Sequence, residues 1–185
     1  MQIIEWIKNF FAHRKFKDLM LRGKRFSRDF IGLNRAKSIG IIFNANQCNI
    51  EDIKELRAYV EQMKAKGKHV VLIELNYLKQ SIPQFQHTVQ TVFINPEKYN
   101  WFGCPKQQVE TQLSHHKLDI LLNCDTSQEI TSHYVCAILE AKMRTGMYVQ
   151  GMEPYYDLML DGAKEQRISK KIQHFEHYLK MIDKT

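Results

Sequence analysis

The chain has 185 residues, 44% of them hydrophobic and 25% charged, with a formal net charge of +7 and a mean hydropathy of −0.43. These values fit one soluble domain with a real core plus an extension, and they exclude a disordered or fibrous chain. No apolar run approaches the roughly 18–20 residues that a membrane-spanning helix needs. The charge is unevenly placed. Residues 1–37 hold ten Lys or Arg against three acids, whereas residues 38–185 hold 17 of each sign. A neutral body with a basic arm is expected to carry its own attachment to a polyanion.

In chain order, residues 2–21 read as a helix. Ile3, Ile4, Trp6, Ile7, Phe10 and Phe11 recur at amphipathic spacing. Arg14, Lys15, Lys17, Arg22, Lys24, Arg25 and Arg28 follow, interleaved with Phe16, Leu19, Met20 and Phe26. Glu5, Lys8 and Asn9 interrupt the apolar residues and the basic cluster comes after them, so the segment is not a secretory signal. Gly23 ends or bends this helix, and Gly32-Leu33-Asn34 is a turn. The boundary is drawn there, with an arm over 1–34 and a body over 35–185.

The body alternates strand and helix. Strands are expected over 38–44 (SIGIIFN), 69–74 (HVVLIE), 91–95 (TVFIN) and 118–124 (LDILLNC), with short late strands over 147–149 and 157–160. Helices are expected over 50–66, capped by Asn49, over 106–116, over 127–141, opened by the Thr126/Glu129 spacing of a capping box, and over 164–182. The last of these should turn Ile168, Ile172, Phe175, Tyr178, Leu179 and Ile182 inward. Apolar strands separated by helix-length segments imply βαβ units and a mainly parallel sheet covered on both faces. The fold expected is therefore α/β: a single Rossmann-like three-layer domain with a mainly parallel sheet, preceded by a basic amphipathic N-terminal helix.

The sequence patches KSIGIIFNA, a helix closing in GK, NWFGCPK, LDILLNCDTS and YYDLML, taken in that order, resemble an uncharacterised Bacteroidota family of short Rossmann-like proteins. The resemblance covers nearly the whole chain, arm included, and implies the same fold. It implies no activity and no catalytic residue.

Open parallel sheets hold ligands beyond the carboxyl ends of their strands. Asn44, Asn46, Asp125, Thr126 and Ser127 should lie on that rim, and they are the candidate ligand residues. In the alternative reading Thr126 only caps its helix and Asp125 answers the helix dipole. There is no G-x-G-x-x-G and no G-x-x-x-x-G-K-[ST], so no nucleotide cofactor is expected. Neither His174 and His177 nor the His115–His116 pair has the spacing of a closed zinc site, and no metal is expected. Cys124 follows a strand but lacks a phosphatase cradle behind it, so it reads as a buried thiol, and the four cysteines read as reduced. Trp101 and Phe102 form an aromatic loop that either stacks a partner or pins itself to the body.

The arm is the strongest signal. The function expected is a non-catalytic binding or adaptor protein of the cytoplasm. Its arm residues Arg14, Lys15, Lys17, Arg22, Lys24, Arg25 and Arg28 would bind structured RNA or a ribonucleoprotein such as the ribosome. The first alternative is a peripheral membrane protein, with the apolar face of the arm in the anionic inner-leaflet interface. The second is an enzyme acting on a phosphorylated small molecule at the rim near Asp125. A further reading packs the apolar face of the arm onto the body.

Overall fold

Three strand sequences set the architecture because they are apolar on both sides of the pleat. In β1 (Ser38–Asn44), β2 (His69–Leu75) and β4 (Lys117–Asn123) every residue after the first is buried. Such strands need helices on both faces. The computed structural model of the chain describes residues 2–22, 29–78, 85, 90–127, 130–161 and 167–183. Its remaining elements are α1 (Gln2–Arg22), α2 (Ile50–Ala65), β3 (Gln90–Ile94), α3 (Gln107–Ser114), α4 (Ile130–Ile138), β5 (Glu140–Met147), β6 (Leu158–Leu160) and α5 (Ile168–Ile182). The six strands form one sheet in the order β3-β2-β1-β4-β5-β6, and every pair is parallel. This is a Rossmann-like α/β domain. Ile39 of β1 sits between Val70 of β2 and Ile120 of β4, which fixes the centre of the sheet.

The two faces carry separate cores. On one, Ile41, Phe43, Leu72 and Leu122 meet Leu56, Val60 and Met63 of α2 and Ile172, Phe175 and Leu179 of α5. On the other, Ile42, Val71, Ile73 and Leu121 meet Val109 and Leu113 of α3 and Val135 and Leu139 of α4. Helix α2 starts as its sequence dictates. Asn49 accepts the Asp52 N–H at 2.9 Å, and the Asp52 carboxylate accepts the Asn49 N–H at 3.1 Å, a reciprocal capping box. At the amino edge, Asp119 pins the entry to β1 by accepting the N–H groups of Lys37 and Ser38 at 2.7 and 3.1 Å.

Several expected boundaries move. α4 runs from Ile130 to Ile138 rather than over 127–141, with residues 128–129 outside the described residues. The chain then enters β5 at Glu140, where a helix and a later strand at 147–149 were expected. Ala, Lys, Met and Arg favour helix in isolation, so the run EAKMR misleads; pairing with β4 from Lys117↔Glu140 onward overrides it. Arg144 also hides the strand, since a buried charge is rare in a sheet interior. Its guanidinium donates to the carbonyls of Cys136 and Leu139 at 3.1 and 3.0 Å, so it closes the open end of α4. In α5, Tyr178 points to solvent instead of inward, while Lys171, which sequence periodicity left outside, is buried. The start of the expected 164–182 helix, residues 164–166, lies outside the described residues.

Helix α1 lies against α4, where Ala12 and Phe16 join Cys104, Ile130 and Tyr134 in a third small core. Residues 29–36 return along the body. The Leu33 N–H donates to the Leu179 carbonyl at 3.3 Å, and the Asn34 N–H donates to the Asp183 carboxylate at 2.7 Å.

Candidate functional site

Strands β1 and β4 are neighbours whose following helices, α2 and α4, lie on opposite faces. Their carboxyl ends therefore diverge, and the rim between them is where such a sheet can hold a ligand. The five rim residues named from sequence meet there, and Tyr77, Asn76, Asn123, Tyr156, His133 and Lys171 join them.

On the β1 side, Asn44 Oδ1 accepts the Asn46 N–H at 3.0 Å. The Asn46 amide spans to the end of β2, donating to Asn76 Oδ1 at 2.9 Å and accepting the Tyr77 N–H at 2.7 Å. Tyr77 then bridges the crevice. Its hydroxyl donates to Asp125 Oδ2 at 3.1 Å, and Asp125 also accepts the N–H and hydroxyl of Ser127 at 3.0 and 2.8 Å. Burial first, then the Asp125 carboxylate, pushes the Tyr77 phenol well up.

Below Asp125 the side chains are buried. Asn123 donates to the Tyr156 hydroxyl at 2.7 Å, so that hydroxyl spends its own proton on His133 Nδ1, also at 2.7 Å. This bookkeeping assigns His133 as neutral, with its proton on Nε2. Burial lowers its pKa to about 4, against a partial opposing pull from Asp125. Gly146 makes the arrangement possible, because a Cβ there would stand 2.5 Å from Tyr156 Cε1. On the other side of the rim Lys171 is 2% exposed, and its ammonium donates to the Cys124 carbonyl at 3.1 Å and the Thr126 hydroxyl at 3.0 Å. Thr126 thus anchors a lysine, and its other neighbour is Gln47 at 3.5 Å.

Chemically the rim is saturated. None of its buried polar side-chain atoms, among the described residues, lacks a hydrogen-bond partner. Its thiols are protonated near neutrality: burial pushes Cys48 and Cys124 up to about 12 and Cys136 up to about 11. All four cysteines are free. The groove of about 430 Å³ between α2 and α5 lies elsewhere. There Glu55 meets Arg167 at 2.7 Å and Glu176 meets Lys180 at 3.1 Å through one oxygen each, and the second oxygens are buried. Among the described residues no group of His, Cys, Asp and Glu is placed to hold a metal ion.

The arm offers a different surface. Of the cations named from sequence, Arg14 and Lys17 are exposed on α1. Lys15 is turned to the body: its ammonium meets Glu110 at 3.2 Å and lies 5.3 Å from the Tyr134 ring centroid. Tyr134 donates to the same carboxylate at 2.8 Å. Arg22 closes α1, and Lys24, Arg25 and Arg28 lie outside the described residues.

Trp6, Phe10, Arg14 and Lys17 follow at i, i+4, i+8 and i+11 and so share one stripe, distinct from the Ala12–Phe16 stripe that meets the body. Trp6, Phe10 and Phe11 stay 67%, 51% and 43% exposed, and Trp101 of the loop before α3 is 57% exposed. Phe102 is half-buried in the small core under α1. The rings form a continuous series. Centroids of Trp6–Phe10, Phe10–Phe11, Phe11–Trp101 and Trp101–Phe102 lie 5.8, 5.8, 5.7 and 5.4 Å apart. The Gly103 carbonyl, accepting from Thr131 at 2.6 Å, ties this loop to α4. No described helix is long and apolar enough to cross a membrane.

Residues 8–182 match the model of a family of unknown function, DUF6913, and the chain belongs to that family. No curated protein matches the chain, and neither does any solved structure.

Proposed function

We propose that this is a non-catalytic binding or adaptor protein that attaches its neutral α/β body to a phosphate-bearing surface through the outer face of α1. The observation that carries the reading is the exposed stripe Trp6, Phe10, Arg14 and Lys17, joined to Trp101. Contiguous exposed apolar surface rimmed by charge marks an interaction site, and here the charge is the positive excess of residues 1–37. Both structured RNA, as in a ribonucleoprotein such as the ribosome, and an anionic membrane present such a surface.

The reading of the rim as an enzyme site for a phosphorylated small molecule has less behind it. Acid–base catalysis favours a group titrating near the working pH. The rim offers thiols pushed up to about 12 and a histidine lowered to about 4. Lys171 spends its donors on the Cys124 carbonyl and Thr126. These contacts suit a knot that holds three loops together.

Fractionation of the native protein tests the attachment. The chain should pellet with ribosomes or with membranes at low salt and be released at high salt, and Arg14→Gln with Lys17→Gln should weaken pelleting. A chain that stays in the supernatant at both salt concentrations overturns the proposal.

A further inference from the structure

The geometry points to an anionic phospholipid bilayer as the partner of this surface, with α1 and the Trp101 loop acting together as one plate that lies in the membrane interface. The inference rests on the attachment reading above and names its partner.

The make-up of the strip favours lipid over RNA, because Trp and Phe beside Arg and Lys on one helix face suit a membrane interface. Trp6 and Phe10 are nearly parallel and offset, with 20° between the planes and centroids 5.8 Å apart. Phe10 meets Phe11 edge-on at 83°, and Trp101 meets Phe102 edge-on at 88°. The rings meet in pairs and stay largely exposed, so what they turn outward is a continuous apolar strip. A bilayer interface accepts such a strip at the boundary of headgroups and acyl chains, where Trp and Phe are favoured.

The placement of the helix agrees. Ala12 and Phe16 hold α1 flat along α4, with the body on the opposite side from the strip. Arg14 and Lys17 continue the same stripe one to two turns beyond Phe10. There they can reach headgroup phosphates while the rings sit deeper. Glu110 pairs with Lys15, whose ammonium lies 5.9 Å from the Phe102 centroid at the end of the ring series. A second element, the Trp101 loop, extends the strip, its ring standing 5.7 Å from Phe11. Two elements in contact make a broader surface than a lone helix.

The chain holds two tryptophans, Trp6 and Trp101, and both lie in the strip, so intrinsic fluorescence reports on this surface alone. The full-length protein is titrated with vesicles of phosphatidylcholine, with vesicles that also contain phosphatidylglycerol, and with an RNA duplex. Expected are a blue shift with the anionic vesicles, quenching by lipids brominated in the acyl chains, and signal from each of the single-tryptophan variants Trp6→Phe and Trp101→Phe. Trp6→Ala with Phe10→Ala should lower vesicle affinity on the order of 100-fold. Arg14→Gln with Lys17→Gln should lower it about 30-fold, with much of the preference for phosphatidylglycerol lost.

All four side chains are exposed, so circular dichroism of these variants should match the parent and the losses then belong to binding. Binding to the duplex with no shift on vesicles overturns the lipid inference and leaves the attachment reading standing. Equal binding to neutral and anionic vesicles overturns the anionic requirement. Binding to none of the three overturns both.

Discussion

The rim between β1 and β4 and the outer face of α1 solve opposite problems. At the rim, polar side chains that a parallel sheet could do without are gathered and then paired off among themselves. Tyr77 spans the crevice to Asp125, and Tyr156 is shared by Asn123 and His133. On α1, large rings that a monomer would be expected to bury are left half in water. A satisfied polar cluster is explained by the fold it holds together, because each member would be costly if left alone. Among the described residues, an apolar strip left in water has no such explanation. The contrast favours a stabilising role for the rim and supports the attachment proposed for the helix, even though fold-level habit would look for function at the rim.

The sharpest way to break this comparison is Tyr156→Phe. Removing one hydroxyl strands both His133 Nδ1 and the Asn123 amide, and each buried orphan costs about 1–3 kcal/mol, so a loss of about 2–6 kcal/mol is expected in urea unfolding. A loss within about 0.5 kcal/mol would mean that the network carries no stability.

Next in size is a pH effect at His133. Its folded pKa lies near 4 against an ordinary 6.5. The unfolded chain therefore binds the extra proton first, and stability is present above about pH 6.5 and lost as pH falls towards 4. The full swing is on the order of 3 kcal/mol. Unfolding curves across that window should slope steeply in the parent and less in His133→Gln; parallel slopes would refute the assignment of a neutral, buried imidazole.

Lys171→Met should cost about 1–3 kcal/mol, because the Cys124 carbonyl and Thr126 lose a buried donor that methionine cannot replace. A stabilised variant, measured by thermal unfolding, would show that burying the ammonium outweighs its hydrogen bonds. The smallest effect is expected on the other side of the comparison. Trp6→Ala and Phe10→Ala should each move stability by less than about 0.5 kcal/mol, as exposed substitutions do. A larger loss on denaturation would show that the strip serves folding rather than attachment.

Legibility from sequence followed the type of interaction. SIGIIFN, HVVLIE and LDILLNC announced their strands within a residue or so, because burial on both faces leaves a continuous apolar run. The Asn49 cap was equally plain, since its partner Asp52 is three residues away. The five rim residues were found from strand ends alone. Their partners Tyr77, Tyr156, His133 and Lys171 were not, because contacts such as Asp125 to Tyr77 or Thr126 to Lys171 join residues distant in the chain and leave no periodic trace. Lys171 and Arg144 were hidden for a related reason: charge on a helix or strand reads as solvent-facing unless its buried acceptors are known. The arm's ring spacing was visible, but which stripe of α1 would meet the body was not. Small Ala12 and a single Phe16 won that contact over the richer set of Trp6, Phe10 and Phe11, because they fit beside Cys104, Ile130 and Tyr134.

The strand order has a consequence for how the chain comes together during synthesis. β1 pairs with β2 soon after both exist, and β3 can add to β2, so one half of the sheet can assemble from sequence neighbours. The opposite edge of β1 waits for β4, whose register Ile39↔Ile120 joins segments made far apart in time. Until then β1, the strand that follows the basic arm, shows a bare row of N–H and C=O groups to its surroundings. Non-local parallel pairing of this kind is slow and exposed to misassembly. The nascent chain is thus most vulnerable in the interval between completion of β3 and emergence of LDILLN, and a chaperone or a rapid elongation rate through α3 would shorten its exposure.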